Sequence, residues 1–194
     1  MVANHSGSIP LDSLMTQVAV NDSTERHLRM LGADLVFQMP IVADIARRSG
    51  TTLACNEDAV RLLTAGELVG VWPEGYKGLG KTYRERYKLQ RFGRGGFVAA
   101  AIRAGAPIIP CAIVGAEEAY PMVGNFEPLA RLLRLPYFPV TPTFPWLGLL
   151  GLVPLISGQV RWFGAEPLVR YLGFLGAAAR PVAVVSITLV LTFI

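Results

Sequence analysis

Charged side chains are scarce in this sequence. Lys, Arg, Asp and Glu make up 16% of its 194 residues, and the mean hydropathy is +0.43, whereas a soluble domain usually draws about 25% of its residues from these types. We therefore expect part of the surface to face lipid or a lipid substrate. The length favours a single domain with one sizeable core.

Cysteine is nearly absent as well. Cys55 and Cys111 lie 56 residues apart, which excludes a CxxC metal pair and the cysteine density of a secreted disulfide scaffold. Residues 1–12 lack the basic start and the apolar run of a secretion signal. A reduced, cytoplasmic setting without a signal peptide is expected.

The chain also lacks an uninterrupted apolar run long enough to cross a bilayer. Residues 135–160 carry no charge, but five prolines interrupt them and disfavour a straight spanning helix. An apolar loop or re-entrant patch fits better. The last 14 residues are uncharged but shorter than the roughly 20 that a span needs. They are predicted to form a buried strand or a tail that docks on a membrane.

Helices and strands alternate along the rest of the chain. Strands are predicted at 2–4, 51–55, 68–72 and 108–114, and helices at 41–49, 57–64 and 96–104. This alternation predicts an α/β fold whose mixed, mainly parallel sheet is flanked by helices. The predicted domain spans residues 1–164, and residues 165–194 form an atypical apolar tail.

Two further helices are predicted near the start. One begins at Pro10, because proline has no amide hydrogen to lose in a first helical turn, and ends at residues 21–23. Four apolar residues share one of its faces: Leu11, Leu14, Met15 and Val18. Helical spacing also covers residues 27–37. Asn56 is predicted to cap the helix at 57–64.

The first candidate site is the segment NHSGSIPLD at residues 4–12. His5 lies in a turn rich in glycine and serine, and Asp12 opens the next helix. A carboxylate that holds one ring nitrogen fixes the histidine tautomer and makes the other nitrogen a better base toward a hydroxyl, as acyl transfer requires. The alternative is a turn histidine and an aspartate that the helix dipole favours.

The second candidate site follows the apolar run at 68–72, where Pro73, Glu74 and Gly75 occupy a strand end. Ligands of parallel sheets bind at such ends. Glu74 could orient a substrate hydroxyl or hold a basic neighbour, and Gly75 would let the backbone approach a ligand closely. The alternative is an ordinary exit from strand to turn.

Residues 75–82, GYKGLGKT, satisfy the phosphate-loop pattern G-x-x-x-x-G-K-[ST]. In a nucleotide-binding protein, Lys81 would reach the outer phosphates and Thr82 would hold magnesium. The pattern requires a helix that opens at Lys81, whereas the following residues are crowded with charge and broken by glycines. Glu74 would also repel the phosphates. Nucleotide binding is the rival hypothesis.

Basic residues are concentrated between positions 77 and 103, a segment that contains eight Lys or Arg and one Glu. An arginine guanidinium group can donate two parallel hydrogen bonds to one phosphate. Phosphorylated acceptors, the phosphates of coenzyme A and anionic head groups are therefore possible ligands. The candidates are Lys77, Arg84, Arg86 and Arg91; the alternative is a solvated loop. Nucleic acid is not an expected partner, because no recognition helix, finger or stacking sheet is present.

Three segments in order resemble the glycerolipid acyltransferase superfamily. They are VANHSGSIPLD from Val2, LACNEDAVRLLTAGELVGVWPEG from Leu53, and LQRFGRGGFVAAAIRAGAPIIPCAIVGAEEAYP from Leu89. The likeness is greatest to the monoacylglycerol and diacylglycerol acyltransferase-like bacterial branch. The resemblance implies transfer of a fatty acyl group from acyl-CoA or acyl carrier protein to a hydroxyl of a glycerolipid or lysophospholipid, without a metal or prosthetic group.

The resemblance also implies roles for particular residues. His5 would take the acceptor proton and Asp12 would orient it, with no acyl-enzyme. The run Pro73 to Gly75 matches a block associated with acceptor binding, and Ile109 and Pro110 match a later block. The implied partners are an acyl thioester donor, a lipid acceptor and a membrane surface, and the implied location is peripheral, at the cytoplasmic face of a membrane.

The sequence departs from the family pattern at several points. Six residues separate His5 from Asp12 where the best-known form has four, and Tyr76 and Lys77 replace a common threonine and arginine. A neutral or lysophospholipid acceptor therefore stays open. The short segment before His5 and the apolar end suggest truncation at both ends. A catalytically inactive, membrane-associated remnant is a further alternative.

Overall fold

Short strands and helices alternate through the chain. The structure is a computed structural model that describes residues 1–90, 92, 95–148 and 186–188. Its strands are β1 Val2–Ala3, β2 Leu28–Gly32, β3 Thr52–Leu53, β4 Leu68–Gly70, β5 Pro110–Val114, β6 Gly124–Asn125, β7 Pro139–Val140 and β8 Ser186–Thr188. Its helices are α1 Leu11–Thr24, α2 Asp34–Gln38, α3 Pro40–Arg48, α4 Asn56–Thr64, α5 Tyr76–Leu79, α6 Gly96–Ala104, α7 Ala116–Ala119 and α8 Glu127–Leu132, with a 3-10 helix at Tyr83–Glu85.

The central sheet has two halves of three strands each. One half has the order β3-β2-β4 and the other β1-β5-β8. A parallel bridge between Val2 and Val71 joins them, so β4 lies beside β1. The pairs β1/β5, β2/β3 and β2/β4 are parallel, while β5/β8 and the separate ribbon β6/β7 are antiparallel. The predicted mixed, mainly parallel sheet with flanking helices is confirmed.

The hydrophobic core lies between this sheet and α1. Val20 of α1 packs with Leu28 and Met30 of β2 and with Cys111 and Ile113 of β5. Cys111, which lies inside the predicted strand at 108–114, is therefore a core residue. In β2, Leu28 and Met30 are buried and Arg29 between them is half-buried, which is the alternation expected of a strand with one face on the core.

Residues 27–37 do not form the predicted helix. They form β2 and then, after Ala33, the short helix α2. The reason is tertiary: β2 pairs with β3 on one side and with β4 on the other, and these contacts outweigh the helical spacing of a short apolar segment.

Helix α1 differs from its prediction in length and in its buried face. It continues through residues 21–23 to Thr24 and ends where Glu25 adopts a left-handed conformation, while Pro10 precedes it as the N-cap. Its buried residues are mainly polar: Asp12, Ser13, Thr16, Gln17 and Val20. The predicted apolar face, Leu11, Leu14, Met15 and Val18, is only half-buried.

Polar side chains can occupy the buried face of α1 because they find partners there. Gln17 Nε2 donates to the carbonyls of Leu28 and Ser49 at 2.8 and 2.6 Å, and Thr16 Oγ1 donates to the Asp12 carbonyl at 2.7 Å. Buried polar groups with such partners are tolerated in a protein interior. This helix therefore presents polar chemistry to the interior instead of an apolar stripe.

The other helices and strands match their predictions within a few residues. Helix α6 has the predicted bounds, Gly96–Ala104, while α4 begins at Asn56 and Cys55 is its N-cap residue in place of Asn56. The boundary predicted at residue 164, residues 149–160 of the apolar run, and all of the tail except 186–188 lie outside the described residues. Within the described residues, no helix is both long and apolar enough to cross a membrane.

Candidate active site

His5 lies in the turn that directly follows β1, at the carboxyl end of the sheet. Its neighbour Asn4 fixes this end to β5: Asn4 Nδ2 donates to the Ile113 carbonyl at 2.9 Å, and the Ile113 amide donates to Asn4 Oδ1 at 2.7 Å. The His5 side chain is only 8% exposed. The strand and its anchor therefore hold the imidazole at the edge where parallel sheets place ligands.

The structure brings His5 and Asp12 together. His5 Nδ1 lies 2.7 Å from Asp12 Oδ2. The same carboxylate accepts the amides of Ser6 at 3.0 Å and Ser13 at 2.8 Å, and Asp12 is 2% exposed. It also lies in the first turn of α1, where the helix dipole favours negative charge.

These contacts indicate which ring nitrogen of His5 carries the hydrogen. An ionised carboxylate is only an acceptor, so Nδ1 of His5 carries the hydrogen that it donates to Asp12. The free lone pair is then on Nε2. The arrangement can remove a proton from a hydroxyl at Nε2 while Asp12 stabilises the resulting imidazolium. An Asp12 side chain that pointed away from His5 would have favoured the inactive remnant, and the structure does not show that feature.

Glu74 follows β4 and binds the backbone of the same turn. Its Oε1 accepts the His5 amide at 3.1 Å and its Oε2 accepts the Gln90 amide at 2.7 Å. The residue is 3% exposed. Glu74 therefore anchors the His5 turn through Oε1 and the Gln90 backbone through Oε2. Its Oε2 also lies 3.8 Å from Lys81 Nζ, which is the basic neighbour that the sequence suggested as one of its two possible partners.

Gly78, which was not predicted to have a role, packs beneath His5. A Cβ added to Gly78 would lie 2.6 Å from the His5 carbonyl oxygen, 2.8 Å from the His5 Cβ and 2.9 Å from the Glu74 Cβ. Real side chains do not approach so closely, so this position requires glycine. The glycine-rich run at 75–80 could have raised the possibility, but nothing in it distinguishes Gly78 from Gly75 and Gly80.

A cleft of about 720 Å³ opens beside the turn. Of the predicted binding residues, Pro73, Glu74 and Lys77 line it, and further lining comes from Tyr76, Lys81, Glu85, Gln90, Asn125, Pro136 and Tyr137. His5 and Asp12 are not part of this lining. Glu74 belongs to the cleft and to the His5 turn, and therefore connects the two.

Gly75 lies at the entrance to α5 with φ 54° and ψ −138°, a combination that L residues rarely adopt. A Cβ added there would meet no other atom within 4 Å. The backbone of Gly75 thus faces open space. This placement agrees with the prediction that a ligand could approach the backbone at this residue.

Tyr137 is a second residue that the sequence did not single out. Its hydroxyl donates to the Ser8 carbonyl at 2.8 Å, so it joins the cleft wall to the His5 turn. Burial raises the pKa of Tyr137 well above its ordinary value, and nearby Tyr76 and Asp12 raise it further. It therefore remains a neutral donor at physiological pH.

The predicted basic residues fall in different places. Lys77 is exposed and lines the cleft, whereas Arg84 and Arg86 are exposed on and just after the 3-10 helix, outside the cleft lining. The Arg86 guanidinium lies 4.5 Å from the centroid of the Tyr83 ring. Arg91 lies outside the described residues. Substrate binding by these arginines stays a prediction.

Residues 75–82 do not form a phosphate loop. The segment contains α5, and no helix opens at Lys81, which is followed instead by the 3-10 helix. The Lys81 side chain is 3% exposed and its Nζ lies 3.1 Å from Glu117 Oε1 and 3.8 Å from Glu74 Oε2. Because this ammonium is neutralised inside the protein, the nucleotide-binding alternative is not supported.

No group of three or more potential metal-ligating side chains occurs in the part of the chain that the structure describes. His27, the second histidine, is exposed and its Nε2 lies 2.9 Å from the Ser49 carbonyl. The His5–Asp12 pair is therefore the arrangement best suited to acid–base chemistry among the described residues.

The chain matches one protein-family model and several curated proteins. The family model described as Acyltransferase matches residues 1–114. The chain is 57% identical over 170 residues to uncharacterised proteins of Mycobacterium bovis and Mycobacterium tuberculosis, and 56% identical over 170 residues to one of Mycobacterium leprae.

These matches cover 87% of this chain but only 47%, 47% and 46% of the three relatives. The chain thus spans about half the length of the curated relatives it matches. No solved structure matches the chain.

Proposed function

Because the chain belongs to the glycerolipid acyltransferase superfamily, we propose that it transfers a fatty acyl group from an acyl thioester to a hydroxyl of a glycerolipid or lysophospholipid. The observation that carries this proposal is the buried hydrogen bond of 2.7 Å between His5 Nδ1 and Asp12 Oδ2. It leaves Nε2 of His5 as the basic nitrogen, which is the group that a hydroxyl nucleophile needs.

The reaction runs through a tetrahedral intermediate. As the acceptor oxygen bonds to the thioester carbonyl carbon, its proton moves to His5 Nε2. When the intermediate collapses, the carbon–sulfur bond breaks and the leaving thiolate takes that proton from Nε2. The products are an ester and a free thiol, His5 returns to its neutral form, and Asp12 stays ionised throughout. No acyl-enzyme, metal or prosthetic group takes part.

The cleft beside the turn is the proposed substrate site. Its volume of about 720 Å³ lies within the range of about 300–1,000 Å³ that small-molecule sites occupy. Pro73 and Lys77 line one part of the cleft, and Gly75 lies between them in sequence. Arg84, Arg86 and Arg91 would approach the anionic portion of the donor or acceptor. Acyl-CoA and acyl carrier protein are both candidate donors.

The likeness to the monoacylglycerol and diacylglycerol acyltransferase-like branch favours a neutral or lysophospholipid acceptor. At the positions where members that use phosphorylated acceptors commonly carry threonine and arginine, this chain has Tyr76 and Lys77. A lysine is a point charge without the two-point fork of arginine. Glycerol 3-phosphate is therefore the less favoured acceptor.

The proposed location is peripheral, at the cytoplasmic face of a membrane. The mean hydropathy is +0.43, and the described surface exposes large apolar side chains, among them Leu132 at 77% and Trp146 at 73%. Exposed apolar side chains near basic residues suit a lipid surface. Such a location would give the enzyme direct access to lipid acceptors.

Transfer of a labelled acyl group to a panel of acceptors tests the proposal. The donors are acyl-CoA and acyl carrier protein, and the panel contains monoacylglycerol, diacylglycerol, lysophospholipids and glycerol 3-phosphate. We expect esterification of at least one lipid acceptor, lost in His5→Ala and retained in the matched control His27→Ala. The proposal fails if no acceptor is acylated, or if His5→Ala transfers as fast as the parent.

A further inference from the structure

Three charged side chains form a buried cluster next to the His5 turn. Glu74, Lys81 and Glu117 are 3%, 7% and 6% exposed. They come from the end of β4, from the residue after Gly80 and from the first turn of α7. Charged groups are rarely buried without a partner, so their arrangement requires an explanation that acid–base chemistry at His5 does not supply.

The Lys81 ammonium is at the centre of this cluster. Its Nζ donates to Glu117 Oε1 at 3.1 Å and to the Lys88 carbonyl at 3.2 Å, and it lies 3.8 Å from Glu74 Oε2. Glu117 Oε1 also accepts the Tyr87 amide at 3.4 Å. The one ammonium thus neutralises charge on two carboxylates and fixes the segment that carries Tyr87 and Lys88.

The cluster is connected directly to the candidate base. Glu74 Oε2 faces Lys81, while Oε1 of the same carboxylate accepts the His5 amide at 3.1 Å. A change in the position of Lys81 would therefore act on His5 through a single side chain. Gly78 packs against both residues, since a Cβ there would lie 2.8 Å from the His5 Cβ and 2.9 Å from the Glu74 Cβ.

We propose that Lys81 and Glu117 are positioning residues for His5. Lys81 holds Glu74 in the orientation that fixes the His5 backbone, and Glu117 holds Lys81. This inference rests on the proposed function only in taking His5 as the base. It also gives a role to the lysine of the phosphate-loop pattern, which binds the protein's own carboxylates instead of a nucleotide.

Stability alone does not account for such a cluster. Well-packed apolar side chains of similar volume often stabilise a fold as well as a buried ion pair does. What an apolar substitute cannot supply is a positive charge 3.8 Å from Glu74 Oε2, which attracts this carboxylate while its Oε1 accepts the His5 amide. The positioning role therefore predicts that folding and catalysis respond differently to removal of the charges.

The decisive comparison is between Lys81→Met and the double variant Lys81→Met/Glu117→Gln. The single change leaves two buried carboxylates without their shared cation and should lower Tm. The double change removes one of those carboxylates and should restore much of Tm, while Glu74 still lacks Lys81. We expect kcat to fall about 10²-fold in both variants with little change in KM, as for a small displacement of a reacting group.

A spectroscopic measurement makes the test independent of acyl transfer. The chain has two histidines, so the imidazole ¹⁵N signals can be assigned with His27→Gln. We expect the His5 signals to shift in Lys81→Met and in the double variant. They should stay unchanged in Arg48→Met, which removes an exposed cation at the end of α3.

The results separate the two proposals. If no acceptor is acylated but the His5 signals shift as expected, the positioning role stands and the acyltransferase proposal fails. If the double variant regains kcat together with Tm, or if the His5 signals do not move, the positioning role is overturned. Should Lys81→Met fail to fold, the double variant and Glu117→Gln alone provide the same comparison with the parent.

Discussion

Nδ1 of His5 lies 2.7 Å from Oδ2 of Asp12 although six residues separate them in the chain. The turn closes over this distance because Gly7 adopts φ 86° and the Ser6 amide donates to the same carboxylate oxygen at 3.0 Å. Asp12 is thus placed to orient His5 in spite of the unusual spacing.

The first prediction concerns Asp12→Asn. An amide of the same shape would not stabilise the imidazolium and could hydrogen-bond the wrong tautomer of His5, so we expect kcat to fall by about 10²–10⁴-fold with little change in acceptor KM. Steady-state kinetics measure both. The matched control is Asp22→Asn, because Asp22 is exposed on the same helix, and it should behave as the parent does. Equal rates for Asp12→Asn and the parent would remove Asp12 from the mechanism.

The second prediction concerns Gly78→Ala. The added Cβ would lie 2.6 Å from the His5 carbonyl oxygen, so the His5 turn or α5 must move. Overpacking of this kind costs about 1–3 kcal/mol of unfolding free energy, and displacement of His5 should lower kcat as well. Chemical denaturation and kinetics provide the two readouts.

Gly124→Ala is the control for Gly78→Ala. A Cβ at Gly124 would meet only the Val140 Cβ, at 4.0 Å, so both stability and kcat should be nearly unchanged. If Gly78→Ala is as stable and as active as this control, the close packing of Gly78 beneath His5 is not a constraint in solution.

Much of the fold was predictable because several signals are local. The bounds of α6 and the strand near residues 68–72 follow from apolar spacing and flanking glycines. The strand β2 was not predictable in this way, since only its pairing with β3 and β4 distinguishes Leu28 and Met30 from one face of a helix. The buried polar face of α1 depends likewise on partners distant in sequence, such as Ser49 for Gln17.

The candidate site likewise contains residues that local sequence patterns predict and residues that only contacts distant in sequence bring to it. His5, Asp12 and Glu74 were predictable from short segments whose residue types suit acid–base chemistry. Tyr137 and Glu117 were not, because they reach the site through contacts across 129 residues to Ser8 and 36 residues to Lys81. For Lys81 the sequence offered only the rival phosphate-loop role, because that pattern does not show that two carboxylates lie around the ammonium.

The third prediction concerns the two thiols. Cys55 is half-buried and free, while Cys111 is buried in β5 and burial raises the pKa of its thiol. The thiolate is the reactive form, so a thiol reagent should modify Cys55 rapidly in the native protein and Cys111 only on unfolding. Cys55→Ser should abolish the rapid phase. A rapid phase that persists in Cys55→Ser would show that β5 opens readily.

The fourth prediction concerns alkaline pH. Burial raises the pKa of Tyr120 from its ordinary value of 10.0 to about 12, and burial also raises the pKa of Tyr137. Above pH 10 the unfolded chain releases these protons more readily than the folded chain does. The free energy of unfolding should therefore be unaffected by these groups below about pH 9 and should fall as the pH rises from 10 toward 12.

Tyr137→Phe tests which tyrosine causes that fall. At pH 8 this variant should be less stable than the parent by about 1 kcal/mol, because it loses the hydrogen bond to the Ser8 carbonyl. At pH 11 this difference in the free energy of unfolding should be smaller. The parent is then destabilised because Tyr137 stays protonated when folded and ionises when unfolded, whereas the variant has no such group. Denaturant unfolding at the two pH values gives the comparison, with Tyr83→Phe, a half-exposed surface tyrosine, as control. The prediction fails if the stability difference between Tyr137→Phe and the parent stays constant from pH 8 to pH 11. Tyr137 would then ionise as easily in the folded protein as in the unfolded chain, and its contact with Ser8 would be open to water.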